Sequence, residues 1–139
     1  MVKGKDFNRP NPKKGERFSV KDEKPAIDYN LKKPTFSLEH MPYRGTCCIS
    51  RCENQKKALI IDTILRFSQL TWKEIRNLPK QSGFEPIPSY RFKVPLPTIF
   101  TPDLTILVAR YDGDGGRIAG YRKNDVFHIV LAGNDLYSH

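Results

Sequence analysis

The spacing of apolar residues changes character along the chain. From residue 1 to about 33 they are few and scattered, with no period of 2 or 3.6. Such a segment buries too little surface to offset the entropy of ordering, which predicts a flexible tail over 1–33 and a folded domain over 34–139. The domain opens with a short extended piece, "PTFSLEHM" (34–41). "SRCE" (50–53) then matches a capping box, with Ser50 as the cap and Glu53 reaching back. Behind it, "NQKKALIIDTILRFSQL" sets Ala58, Ile61, Ile64, Leu65 and Ser68 on one stripe at helical spacing. A second box, "TWKE" (71–74), starts a short helix that Pro79 closes.

After "KQSGFEPIP", expected to be a loop, the period becomes that of strands. "SYRFKVPLP" (89–97) alternates, and "LTILVARY" (104–111), "RIAGYRK" (117–123) and "VFHIVLA" (126–132) are β-branched and aromatic runs between turn residues. The predicted fold is α+β, with two N-terminal helices on one face of a mostly antiparallel sheet of four to five strands.

The stretch "ARYDGDGGRIAGYR" (109–122) invites a ligand-binding reading. An EF-hand starting at Asp112 would need Gly at position 6 and Glu at position 12, where Arg117 and Lys123 stand. A dinucleotide fingerprint would need a third glycine where Ile118 stands and a helix where a strand follows. No Lys-Ser/Thr ending makes it a phosphate loop. The remaining reading is a hairpin turn over 112–116, because Asp and Gly tolerate positive φ.

That turn fixes a register, and register fixes faces. It pairs Tyr111 with Arg117, Ala109 with Ala119 and Leu107 with Tyr121, while an Asn124-Asp125 turn pairs Lys123 with Val126 and Tyr121 with His128. Tyr111, Arg117, Tyr121, Lys123 and His128 are then expected on one face, away from the helices. Ile106, Val108, Ile118, Phe127, Ile129 and Leu131 are expected on the core face.

The net charge of +9 points to an anionic partner. Within it, residues 1–33 carry ten Lys/Arg against five Asp/Glu, a net +5, which suits either an arm that tracks phosphates or a solvated extension. No run approaches the roughly 18–20 apolar residues of a membrane span, and no apolar stretch follows the basic N-terminus, so a cytoplasmic protein with no membrane partner is expected. Cys47, Cys48 and Cys52 combine with His40 as H-x6-C-C-x3-C, which lacks the paired knuckles of structural zinc. Semi-buried thiols near a helix start are expected, with no metal and no cofactor.

The element order, the segment "FSQLTWKEIRNLP" and the closing run "GGRIAGYRKNDVFHIVLAGNDLY" resemble the RelE/ParE superfamily of bacterial type II toxin–antitoxin toxins, its ParE-like branch above all. The resemblance covers about residues 34–139. It implies a ribosome-dependent, metal-independent mRNA endonuclease with a cognate antitoxin as partner or, in the ParE branch, an inhibitor of DNA gyrase. A basic nucleic-acid-binding adaptor without chemistry is the further alternative. On the family's pattern Arg117 matches the arginine that follows the hairpin, and Tyr137, or His139 beyond it, matches the C-terminal catalytic side chain. Arg110 resembles a basic residue before the loop, and Arg91 and Lys93 the basic strand after the helices; Tyr111, Tyr121 and Lys123, gathered on one face by the register, are the further candidates for binding nucleic acid.

The chemistry suits these residue types. Attack of a 2′-OH on its own phosphate needs a base, a cation at the developing phosphorane and an acid for the leaving oxygen. Arg117 is the candidate cation, His128 the candidate base or acid, and Tyr137 the candidate donor or stacking group. No carboxylate falls at an evident base position.

Overall fold

The computed structural model describes residues 26–138; the expected tail lies outside them up to residue 25. The chain forms β1 (Thr35–Ser37), α1 (Asn54–Ser68), α2 (Trp72–Arg76), β2 (Phe84–Ile87), β3 (Ile106–Arg110), β4 (Gly116–Lys123) and β5 (Val126–Asn134). The strands make one five-stranded mixed sheet in the order β1-β5-β4-β3-β2, with β1 parallel to β5 and the other pairs antiparallel. The fold is α+β. Residues just before β1 belong to it as well. A short 3-10 turn, Tyr29–Leu31, is capped by Asp28, and the Lys32 carbonyl accepts from the Trp72 amide.

Two local expectations are corrected. Helix α1 starts at Asn54 with Glu53 as an N-cap that makes no side-chain bond, while the Ser50 hydroxyl accepts instead from the Arg44 amide. The stripe of α1 is also rotated. Ile60, Thr63 and Phe67 are buried, whereas Ile61 and Leu65 are 61% and 57% exposed. Both stripes satisfy a 3.6-residue period. Thr63 fits the buried one because its hydroxyl donates to the Leu59 carbonyl at 2.8 Å. The Thr71–Glu74 capping box of α2 forms as expected.

The strand expected over 89–97 is not one: Ser89–Arg91 is a 3-10 turn, and Phe92 makes a lone bridge to Tyr137. Pro88, Pro95 and Pro97 remove the amide donors that a ladder needs there. The strand lies instead in Phe84–Ile87, whose Pro86 is tolerated because β2 is the sheet's edge.

Each face of the sheet carries its own core. Ile60, Phe67, Trp72 and Ile75 of the helices cluster with Ala109, Tyr111, Ile118, Phe127, Ile129 and Ala132. Phe84 wedges between Phe67 and Phe127, with ring centroids 4.6 and 4.5 Å away. On the other face Ile87, Ile106, Val108, Ala119, Leu131, Leu136 and Tyr137 cluster, covered by Phe92, Val94, Leu96 and Phe100. Ile106, Val108 and Leu131, expected beneath the helices, therefore lie on the opposite side.

A register shift and a bulge explain this. The β3–β4 register differs by one residue from expectation: Arg110 pairs with Arg117, Ala109 with Ile118 and Leu107 with Gly120. Tyr111 consequently turns to the helix side. In β5, Ala119 pairs with Leu131 but Gly120 with Ile129, so Val130 is an extra residue and the faces exchange across it. Beyond the bulge, Tyr121 pairs with His128 and Lys123 with Val126, as expected.

Candidate functional site

The Asp-Gly loop turns the chain and is tied down at one point. Asp112 Oδ1 accepts from the amides of Asp114 and Gly116, an Asx arrangement, and Gly115 takes φ +90°. The other oxygen, Oδ2, meets the Lys56 ammonium of α1. Burial raises the Asp112 pKa, but the Lys56 bond and the two amides outweigh it, so the carboxyl sits below its ordinary value.

This anchor holds the hairpin against α1 and leaves a cleft of about 440 Å³ between them. Arg66 and Asp62 of α1 line it with Gln81, Arg110, Tyr111 and Arg117. Arg117 is 7% exposed; its Nε donates to the Tyr137 hydroxyl at 3.2 Å and its Nη1 to the Gly116 carbonyl at 2.9 Å. Arg66 lies over the Phe67 ring at 4.6 Å and donates to the Ser82 carbonyl. Among the described residues no carboxylate forms an ion pair with Arg66, Arg110 or Arg117. Burial, followed by the charges of Cys52 and Asp112, pushes the Tyr111 phenol up to about 12, so it stays protonated at neutral pH. A guanidinium cluster with one buried member and, among the described residues, no ion-paired carboxylate suits a phosphate.

The residues expected at the site form two groups. Tyr137 is 3% exposed and touches Arg117. Arg91 donates twice to the Ser138 carbonyl and lies 5.8 Å from the Tyr137 ring, and Lys93 sits 3.8 Å from Asp135. The second group lies farther along the same face. His128 stacks on Tyr121 with centroids 4.7 Å apart, His40 lies 5.0 Å from His128, and Lys123 is at the exposed strand end. Tyr121 stands four positions beyond Arg117 along β4, about 13 Å of extended chain. Arg117 and His128 thus share a side of the sheet without reaching one phosphate. His139 lies outside the described residues.

Burial, then the His40 charge, lowers the His128 pKa against the pull of Glu39. The His128 Nδ1 is buried with no hydrogen-bond partner among the described residues. Cys48 is buried and Cys47 and Cys52 half-buried, all three free, in keeping with the reading of semi-buried thiols.

Sequence reasoning missed Asp62, Arg66 and Gln81. Asp62 and Arg66 stand at i,i+4 on α1, a spacing that ordinarily marks a solvated ion pair. Only the packing of the hairpin against that helix face distinguishes them. Comparison of the chain with protein-family models, with curated proteins and with solved structures gave no match.

Proposed function

We propose that the chain is a toxin-like ribonuclease of the RelE/ParE kind that cleaves messenger RNA at the arginine-lined cleft, under the control of an antitoxin. The observation that carries this reading is Arg117, a buried guanidinium answered, among the described residues, by two neutral oxygens at the mouth of a cleft that Arg66 and Arg110 also line. The family resemblance of the hairpin and the C-terminal tyrosine supports it, and so does the net charge of +9.

In this reading Arg110 and Arg117 hold the scissile phosphate and offset the charge of the phosphorane. Asp62 takes the proton from the 2′-OH, supplying the carboxylate that the strands lack. Tyr111, kept protonated by burial, gives up its 3.4 Å bond to Asn134 Oδ1 to donate toward the leaving oxygen. Tyr137 positions Arg117 through its hydroxyl rather than entering the cleft. His128 lies outside this chemistry.

Inducible expression with growth and RNA integrity followed together is the test. Wild type is expected to arrest growth with cleaved transcripts. Arg117→Ala is expected to lower cleavage by roughly 100-fold or more, the cost of removing one preorganised donor. Arg117→Lys, which keeps charge but loses the planar fork, should recover little. Cleavage unchanged in Arg117→Ala, or growth arrest with intact RNA, overturns the reading.

One observation favours a second reading. Ile61 and Leu65 of α1 are exposed by more than half and lie on one helix face with the exposed Ala58. An apolar helix face suits a protein partner. That partner is the antitoxin in the nuclease reading and DNA gyrase in a non-catalytic one. Ile61→Asp with Leu65→Asp would abolish toxicity in the inhibitor reading and leave cleavage of RNA intact in the nuclease reading.

A further inference from the structure

A second cluster, far from the arginine cleft, is built by the parallel pairing of β1 with β5. That register sets Ser37 beside His128, and the chain leaves β1 in a tight turn in which the Ser37 hydroxyl accepts from the Glu39 amide. The turn delivers Glu39 and His40 over His128. One donor atom from each of the three residues lies within 4.8 Å of the other two, and His40 Nε2 stands 3.9 Å from Glu39 Oε2.

His128 is 8% exposed, fixed on a central strand and stacked on Tyr121 at 15° between ring planes. Its buried Nδ1 has no partner among the described residues. Its ring is therefore held in place while its Nδ1 is left without a partner among the described residues.

We propose that Glu39, His40 and His128 form a binding site for a first-row divalent transition ion, zinc foremost. Two imidazoles and one carboxylate are the donor set that such ions prefer, and the imidazoles disfavour magnesium and calcium. Zinc at about 2.0–2.2 Å from each ligand needs donors about 3.4 Å apart. The exposed Glu39 side chain and the half-buried His40 supply the adjustment, closing on the fixed His128. Three protein ligands leave a fourth position for water. The ion clamps the turn after β1, an edge strand of only three residues, onto β5. The site is independent of the nuclease reading, since it shares no residue with the cleft.

The test is titration of the metal-stripped full chain with Co²⁺, followed by its visible ligand-field bands, with Zn²⁺ as competitor and thermal melting in parallel. One ion per chain is expected, with a melting temperature raised by Zn²⁺ and not by Mg²⁺. Glu39→Gln, a conservative change at an exposed position, is expected to weaken binding about tenfold. His40→Ala should remove the bands and the thermal shift. A Cys47→Ser, Cys48→Ser, Cys52→Ser variant should bind as wild type. The proposal is overturned if the wild type binds no ion, if His40→Ala and Glu39→Gln both bind undiminished, or if binding is lost only in the serine variant. None of these readouts depends on RNA cleavage.

Discussion

Replacing Gly120 by alanine drives a methyl group into the neighbouring strand. A Cβ at Gly120 would lie 1.8 Å from the His128 carbonyl oxygen, 2.8 Å from its carbonyl carbon and 3.1 Å from Phe127 Cζ. The nearest atoms are backbone, so no rotamer change relieves the clash. A normal C···O approach is about 3.3 Å, so β4 and β5 must part by roughly 1.5 Å at the bulge. Overpacking of this sort costs about 1–3 kcal/mol. Loss of two ladder hydrogen bonds beside it adds about 1 kcal/mol each. The expected destabilisation is therefore about 3–5 kcal/mol, a large part of the roughly 5–15 kcal/mol that holds a domain together. In urea, with a slope of about 1.5 kcal/mol/M, the midpoint should fall by roughly 2–3 M with the slope unchanged. Intrinsic propensity works the other way, since alanine suits a strand interior better than glycine. A midpoint within about 0.5 M of wild type would show that β5 passes Gly120 without the bulge and would refute the assignment of faces built on it.

Further consequences follow from the anchors around the hairpin and the helices. Thr71→Ala removes the hydroxyl that accepts from the Glu74 amide and leaves half of the capping box, which should cost about 1 kcal/mol and lower Tm by about 3–5 °C. Asp112→Asn keeps an acceptor for the Gly116 amide but discards the charge facing Lys56. The folded Asp112 pKa is depressed, so its stabilisation is complete above the ordinary value of 3.8 and is lost as pH falls through the depressed value. Wild type should thus exceed the Asn variant in urea midpoint by a constant margin at pH 5–7, and the margin should close in stronger acid; a margin independent of pH down to unfolding would contradict the ion pair. Tyr137→Phe leaves the packing against Phe92 but removes the acceptor of Arg117 Nε. It should reduce cleavage less than Arg117→Ala does, with the loss in kcat rather than KM, and an unchanged rate would remove Tyr137 from its positioning role.

Much of the sheet was legible because turns announce themselves. Asn124-Asp125 set the β4–β5 register correctly as far as Tyr121 and His128. The β3–β4 register slipped because the Asp112 side chain, rather than the backbone alone, closes the loop, so that the pairing begins with Arg110 opposite Arg117. The bulge at Val130 left no trace in the alternation of an all-apolar run, "IVLA". Residues buried on either face read alike there. In α1 two apolar stripes competed, and the choice was made by Phe67, which stacks on Phe84, an edge-strand residue that proline content had disguised as loop. The site was legible only in part. Arg117 and Tyr137, both marked as candidates in the sequence, meet through one hydrogen bond, yet Asp62 and Arg66 entered through tertiary packing that no local pattern encodes.

The covered far face changes what Arg117 can be. On an open concave sheet its guanidinium would remain hydrated and cost nothing. Here Tyr137 and the bridge to Phe92 close over it, leaving the side chain 7% exposed. A charge so placed is expensive unless paired, and two neutral acceptors answer only part of it. Arg110 stands directly across the ladder, and like charges in that position repel. Both costs persist in the free protein and both fall when an anion enters the cleft. Binding of a phosphate-bearing chain should therefore raise the thermal stability of the protein, and Arg110→Gln should stabilise the free protein while weakening that binding. Affinity should also fall steeply as salt rises, since the phosphates release counterions on binding. An Arg110→Gln variant that is less stable without ligand would mean that the guanidinium pair is already compensated, leaving the cleft with no stored preference for phosphate.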